Sequence, residues 1–183
     1  MASPVGHALM GYAVYRVTAS PERKGSRTTL WLCLLLAIAP DFDFLPGLLL
    51  GKPALYHQGI SHSLGFALVL SLAVAVVYSP SWKSLWADWG LFFLAYASHL
   101  IIDLFGPDAR PPYGIPLFWP ISHAYYLMPF QIFWGVHHAH ATLATTGEWV
   151  TAILNLRNVG AIILEVVVIS PIILFVRLAQ SSK

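Results

Sequence analysis

Apolar residues run along this chain in long stretches interrupted by a few polar positions. Leu64 to Tyr78 is uncharged throughout and predicts a membrane-embedded helix. Trp86 to Phe105 matches the roughly twenty residues a bilayer-crossing helix needs, with His99 and Asp103 in its second half. A third candidate, Val159 to Val176, is interrupted by Glu165 and Pro171. The run Leu30 to Leu50 is long enough only with Asp41 and Asp43 near its middle. Pro40 and the Pro46-Gly47 pair predict instead a helix that stops and a loop that dips inward. Such broken backbone is tolerated at membrane depth when it is buried in protein or lines a cavity. Six prolines between Gly106 and Pro129 predict an irregular segment over the end of the Trp86 helix. No internal repeat or low-complexity tract stands out. The expected fold is all-α: a single polytopic membrane domain over residues 1–183, with roughly four membrane-embedded helices.

Composition narrows this further. Of the 183 residues 57% are hydrophobic and only 10% charged, against about 25% charged in soluble globular chains. A soluble enzyme, a disordered segment and a solenoid are therefore excluded as expectations. The net charge is +2 and the basic residues are scattered, so no nucleic-acid partner is expected. Membrane lipid is the expected surrounding. Met1 to Tyr15 lacks a charged region and a cleavage site of the signal-peptide kind. Cys33, the single cysteine, can form no internal disulfide.

Arg16, Arg23, Lys24 and Arg27 share one short loop region, and loops this basic are usually cytoplasmic. Following the chain from there puts Asp41, Asp43, His57, His62, His99 and Asp103 at one end of the bundle, away from the cytoplasm. Lys52 and Arg110 lie on the wrong side for this orientation. The co-location of the six polar residues does not depend on it.

Those residues carry the chemistry. His99 and Asp103 are four apart, about 40° around a helix and about 6 Å along it, so both can reach one site. Ionisable groups in a membrane helix are costly and normally functional or paired; on its own, this pair is almost as well explained as an interhelical hydrogen bond. Asp41 and Asp43, in APDFDFLP, would point the same way in an extended turn, with Phe42 and Phe44 opposite. Converging carboxylates need a cation between them, although a solvated acidic loop is the plainer reading. His57 and His62 bracket Gln-Gly-Ile-Ser, with Ser61 the expected N-cap of the Leu64 helix and His62 in its first turn. Taken singly, these histidines and His7 are more often structural residues than metal ligands.

Together they change the odds. Four histidines and three aspartates exceed what one tetrahedral zinc uses and suit two divalent ions sharing a carboxylate. Three carboxylates and one hydroxide would neutralise the four positive charges. Their order, with PVGHALMG at 4–11, APDFDFLP at 39–46, HQGISHSL at 57–64, SHLIIDLF at 98–105 and YGIPLFWPIS at 113–122, resembles the LexA-binding, inner-membrane-associated hydrolase family, the YdjM-like membrane-bound metal-dependent hydrolases. The likeness covers about the first two thirds of the chain. Gln58 and Ser61 stand where that family commonly has Arg and Thr, and His123 where a basic residue is usual.

The resemblance implies an inner-membrane location and a site like that of the helical zinc-dependent phospholipase C. The metal ligands would be His7, Asp41, Asp43, His57, His62, His99 and Asp103. It also implies two divalent ions, zinc first with manganese or iron as alternatives, and hydrolysis of a phosphoester by a metal-activated water. A site at bilayer depth among aromatic segments favours a lipid-like or other amphiphilic substrate, with a small phosphoester also compatible. His123 or Asp108 would protonate the leaving group. The competing classes are a metal transporter or sensor, in which His137, His138 and His140 could be a second station, and a regulatory membrane protein with a structural metal and a protein partner. On their own those three histidines, outside the resemblance, read as a polar interfacial face. Glu148 is a second-line candidate, as is Glu165, which needs a partner such as Arg157 or a group of the site.

Overall fold

The computed structural model describes residues 1–109, 111–138 and 144–181. Its helices run in the order α1 (Pro4–Thr18), α2 (Arg27–Ile38), α3 (Phe44–Leu49), α4 (Leu64–Tyr78), α5 (Trp82–Leu104), α6 (Thr146–Ile153) and α7 (Leu156–Ser181). Short 3-10 turns cover Ala39–Asp43, Pro53–Leu55 and Ile60–His62. Among the described residues there is no strand, only an isolated antiparallel bridge between Ile115 and Tyr126.

Serine starts four of these helices. Ser3, Ser26, Ser63 and Ser81 accept the backbone N–H of Gly6, Thr29, Phe66 and Ser84 at the heads of α1, α2, α4 and α5. A side-chain oxygen there satisfies a donor that has no partner inside the helix. Ser63, not Ser61, therefore caps α4, and His62 ends a separate 3-10 turn instead of entering the helix.

Helix α5 is the centre of the bundle and packs on α1, α2 and α4, while α7 lies against α1. Phe92, Ala95, Tyr96 and Leu100 of α5 meet Tyr15, Cys33, Leu36 and Ala67 in one core. Some 61% of the most apolar stretch of α5 is buried, against 17% for α7. Most of α7 thus turns Ile163, Val167, Leu174 and Phe175 outward, an apolar surface suited to lipid.

Among the described residues, three helical segments are long and apolar enough to cross a membrane: Arg27–Leu49, Trp82–Leu104 and Leu156–Gln180. With 15 residues, α4 is shorter, about 22 Å against a hydrocarbon core of about 30 Å. Against the roughly four membrane-embedded helices expected, three segments of that length and one shorter apolar helix are found. The two interruptions take different forms. Pro171 and Glu165 sit inside α7 without ending it, because one lost hydrogen bond costs less than exposing a whole broken turn to lipid. After Ile38 the chain does not open into an extended loop; it tightens into the 3-10 turn Ala39–Asp43 and continues as α3.

At the far end of α5, Arg23 forks onto Asp88 through Nε at 2.9 Å and Nη2 at 2.6 Å. Ser79 Oγ adds a third donor to Asp88 at 2.7 Å. The Arg23 guanidinium also lies over the Tyr78 ring, 4.5 Å from its centre. These contacts tie the α1–α2 loop to the α4–α5 turn, at the end of the bundle opposite His99 and Asp103.

Candidate metal centre

His7 in the first turns of α1, Asp41 and Asp43 in the 3-10 turn, His57 and His62 in the α3–α4 connection, and His99 and Asp103 on α5 converge at one end of the bundle. His7, His62 and His99 are fully buried, and His57 and Asp103 nearly so. His99 Nδ1 lies 2.8 Å from the Ala37 carbonyl oxygen. A carbonyl can only accept, so Nδ1 carries the proton and Nε2 presents a lone pair. That lone pair faces Asp103 Oδ2 at 3.2 Å, His62 Nε2 at 3.3 Å and Asp41 Oδ1 at 3.6 Å. His62 Nε2 lies 3.6 Å from Asp103 Oδ2 and 3.7 Å from Asp41 Oδ1. Five edges of a four-atom figure thus fall between 3.2 and 3.7 Å. Bonds of about 2.0–2.2 Å to a tetrahedral ion would set ligand atoms about 3.3–3.6 Å apart.

His7 stacks on His99 with ring centres 3.6 Å apart. Its Nε2 lies 3.5 Å from Asp103 Oδ1, the oxygen that also accepts the Ala2 N–H at 3.1 Å. The two oxygens of Asp103 therefore serve different sides, Oδ2 towards His62 and His99 and Oδ1 towards His7. Both ring nitrogens of His7, Asp41 Oδ1 and Asp103 Oδ2 are buried without a hydrogen-bond partner. Buried polar atoms left this way are rare and call for an ion or water. Among the described residues, three overlapping groups could hold a metal ion: His7, Asp41 and His99; Asp41, His57 and His62; and His62, His99 and Asp103.

Asp43 is in none of these groups. Its Oδ1 takes His57 Nδ1 at 2.7 Å, while Oδ2 lies 3.2 Å from His62 Nδ1 and 2.9 Å from Ser61 Oγ. The carboxylate stands behind two imidazoles and fixes which of their nitrogens faces inward, the usual arrangement of a carboxylate that orients a ligand histidine. In the 3-10 turn Asp41 and Asp43 do not share a direction: they approach His62 through its two different nitrogens. Phe44 does not point away either; it stacks on His57 with ring centres 3.6 Å apart. Burial alone would push the His62 imidazolium down. The contacts with Asp41 and Asp43, and the charges of Asp43 and Asp103, outweigh it and hold the group up at about 10. Burial is the largest influence on His57 and leaves it below the usual histidine range.

A family model described as YdjM inner membrane protein matches residues 1–183. The chain belongs to that family. No curated protein and no solved structure matches it. The match runs through α6 and α7, beyond the two thirds that the motifs cover.

In this YdjM-family chain the remaining candidates fall in different places. Asp108 accepts the Gly114 N–H at 2.7 Å and shapes the proline-rich segment. His123 is exposed. Neither belongs to the groups that could hold an ion. Within the His137–His140 cluster, His137 is exposed and His138 is not. His138 is buried, with its ring centre 5.8 Å from that of His57 and 5.9 Å from that of Phe44. The main chain of His137 is held by Asn158, and His140 lies outside the described residues. The spacing of His138 carried no sign of this, because the contact depends on how the segment after the prolines folds back. Glu148 closes a capping box on Thr145 in α6.

Glu165 is fully buried and finds neither Arg157 nor the site. It accepts the Ser3 N–H at 2.8 Å and the Ser3 hydroxyl. Arg157 reaches instead towards the Trp134 carbonyl. The Glu165 carboxylate thus sits at the head of α1, where a negative charge complements the helix dipole, one turn before His7. A Cβ at Gly6 would meet Glu165 Oε2 at 2.5 Å, so a side chain there would have to displace the Glu165 carboxylate.

Proposed function

We propose that this protein is a membrane-embedded, metal-dependent hydrolase of phosphoesters. Its ions would be held by His7, Asp41, His57, His62, His99 and Asp103, with Asp43 orienting His57 and His62. The observation that carries this reading is the convergence of His99 Nε2, His62 Nε2, Asp41 Oδ1 and Asp103 Oδ2 at 3.2–3.7 Å, with both of those carboxylate oxygens buried and lacking a hydrogen-bond partner. Two ions would suit the two-sided placement of Asp103, whose Oδ2 faces His62 and His99 and whose Oδ1 faces His7. Zinc fits the nitrogen-rich donor set, and manganese or iron are the alternatives.

A divalent ion held there supplies Lewis acidity to a phosphoryl oxygen and an acidified water as nucleophile. The chain's own part is to fix geometry and exclude solvent. Ala37 sets the tautomer of His99, Asp43 those of His57 and His62, and Phe44 packs over His57. Two apolar cavities flank the Asp41–Phe42–Asp43 turn. One of about 290 Å³ reaches Asp41 past Phe44, His138 and Trp149. The other, of about 700 Å³, reaches Asp43 and Ser61 past Phe42, Tyr56 and Phe66. Apolar walls ending on a polar centre favour an amphiphilic substrate with its ester at the ions.

The test is metal content per chain in detergent-purified protein, by plasma mass spectrometry, beside His99→Ala and Asp103→Ala. About two ions in the wild type, lost in both variants, together with metal-dependent cleavage of a phosphodiester lipid, is the expected result. A single ion without turnover would favour a structural or transport role. No metal, bound or taken up, would overturn the reading.

A further inference from the structure

At the other end of α1 the charges have the opposite sign. Arg16, nine residues beyond His7 and so about 13 Å along the helix, lines a cavity of about 390 Å³ together with Tyr12, Lys24, Ser26, Arg27 and Gln180. Arg177 stands beside it and donates to Tyr12 Oη at 2.7 Å. The only Lys or Arg paired with a carboxylate among the described residues is Arg23, on Asp88. The remaining acids are committed elsewhere: three at the metal centre, Glu165 on Ser3, Glu148 on Thr145, Asp108 on Gly114 and exposed Glu22 on Ser20. Arg16 spends two of its five N–H groups, on Tyr12 Oη at 3.4 Å and Gln180 Oε1 at 2.9 Å. Among the described residues, no carboxylate pairs with a cation of this walled pocket.

Its neighbours are those of a site at the membrane interface. The membrane-crossing segments Arg27–Leu49 and Leu156–Gln180 begin and end at this pocket. Trp82 and Trp86 are exposed near the start of α5 and Trp31 near the start of α2, at the same end, as an interfacial aromatic belt would be. The pocket also continues into a second cavity. A trough of about 620 Å³ shares Lys24 and Gln180 with it and is walled by Val17, Phe175, Val176 and Ala179. A polar, cationic head region joined to an apolar trough at headgroup depth matches an anionic phospholipid in both of its parts.

We propose that this end of the molecule is a binding site for an anionic phospholipid, its headgroup phosphate on Arg16, Lys24 and Arg27 and one acyl chain along the Val17–Phe175–Ala179 trough. The site is separate from the metal centre and does not depend on the hydrolase reading.

The full chain in mild detergent is titrated with dioleoyl phosphatidylglycerol, dioleoyl phosphatidylcholine or inorganic phosphate, and bound species are counted by native mass spectrometry. Each cation near a membrane surface is worth about a five-fold change in binding, so the Arg16→Gln/Lys24→Gln/Arg27→Gln variant should retain phosphatidylglycerol on the order of a hundred-fold less well. A Lys52→Gln/Arg157→Gln variant, which removes charge elsewhere, should retain it like wild type. Ala179→Trp keeps every cation and fills the trough; it should weaken phosphatidylglycerol binding while the protein stays folded. Equal retention of the two lipids, or unchanged retention by the triple variant, overturns the proposal. Displacement by inorganic phosphate with no effect of Ala179→Trp would also overturn it, making the pocket a site for free phosphate.

Discussion

The proton on His99 Nδ1 is held by the Ala37 carbonyl, and everything its other nitrogen can do follows from that. Asp43 plays the same part for His57 and His62, which separates it from Asp41 and Asp103 despite the shared residue type. The difference is measurable. Asp103→Asn should abolish metal binding, since it removes an inward-facing anionic oxygen. Asp43→Asn should leave the ions bound with affinity lower by about 10–100-fold, the usual cost of losing an orienting partner. Competition against a chromophoric chelator reads both, and equal losses would show Asp43 to be a ligand. Gly6 offers a second test at this scale. Gly6→Ala drives a methyl group into Glu165 and should destabilise the protein by about 1–3 kcal/mol. In a Glu165→Ala background the same change should cost much less, because the obstruction is gone. Thermal unfolding in detergent gives the four values; strict additivity would show that the two residues do not press on one another.

Among the elements, those bounded by clear polar punctuation were legible in advance. Leu64 to Tyr78 is both the uncharged run and the observed α4, because serine precedes it and Ser79-Pro80 ends it. The break after Ile38 was legible from Pro40, but its form was not: an extended turn and a 3-10 turn use the same residues, and only packing against α5 and the His62 turn selects between them. Pro171 leaves α7 whole, as the reading of Val159 to Val176 as one spanning candidate required, since in lipid a helix keeps its backbone bonds even past a proline. The tie between Arg23 and Asp88 was invisible because the partners are 65 positions apart. Arg23→Ala would strand a carboxylate that is only 2% exposed, and should cost about 2–4 kcal/mol. Arg23→Ala/Asp88→Ala should recover part of that. A single variant no less stable than the double would mean that the pair does not join these two ends of helices.

Across the whole molecule, seven polar residues scattered between positions 7 and 103 become one centre because α5 is surrounded by α1, α2 and α4. Order and spacing in the chain were enough to nominate them, since buried histidines and aspartates in an apolar protein need a common partner. Neither His138 nor the outer position of Asp43 could be nominated that way, as both depend on how irregular segments fold over the centre. In the absence of a cation the cluster keeps His62 protonated, held up at about 10 by Asp41 and Asp43 against the penalty of burial. Metal must displace that proton to reach Nε2. The folded value lies above the ordinary histidine value, so the proton is present throughout the neutral range, and binding releases it at any pH below about 10. Apparent affinity should therefore rise about ten-fold per pH unit between roughly pH 7 and 9 for each proton released. Calorimetric titration with zinc in buffers of different ionisation enthalpy measures the release directly. About one proton per ion at the His62 side is the expected result. Uptake without proton release would mean that His62 stays charged and that the ion is held by the other residues alone.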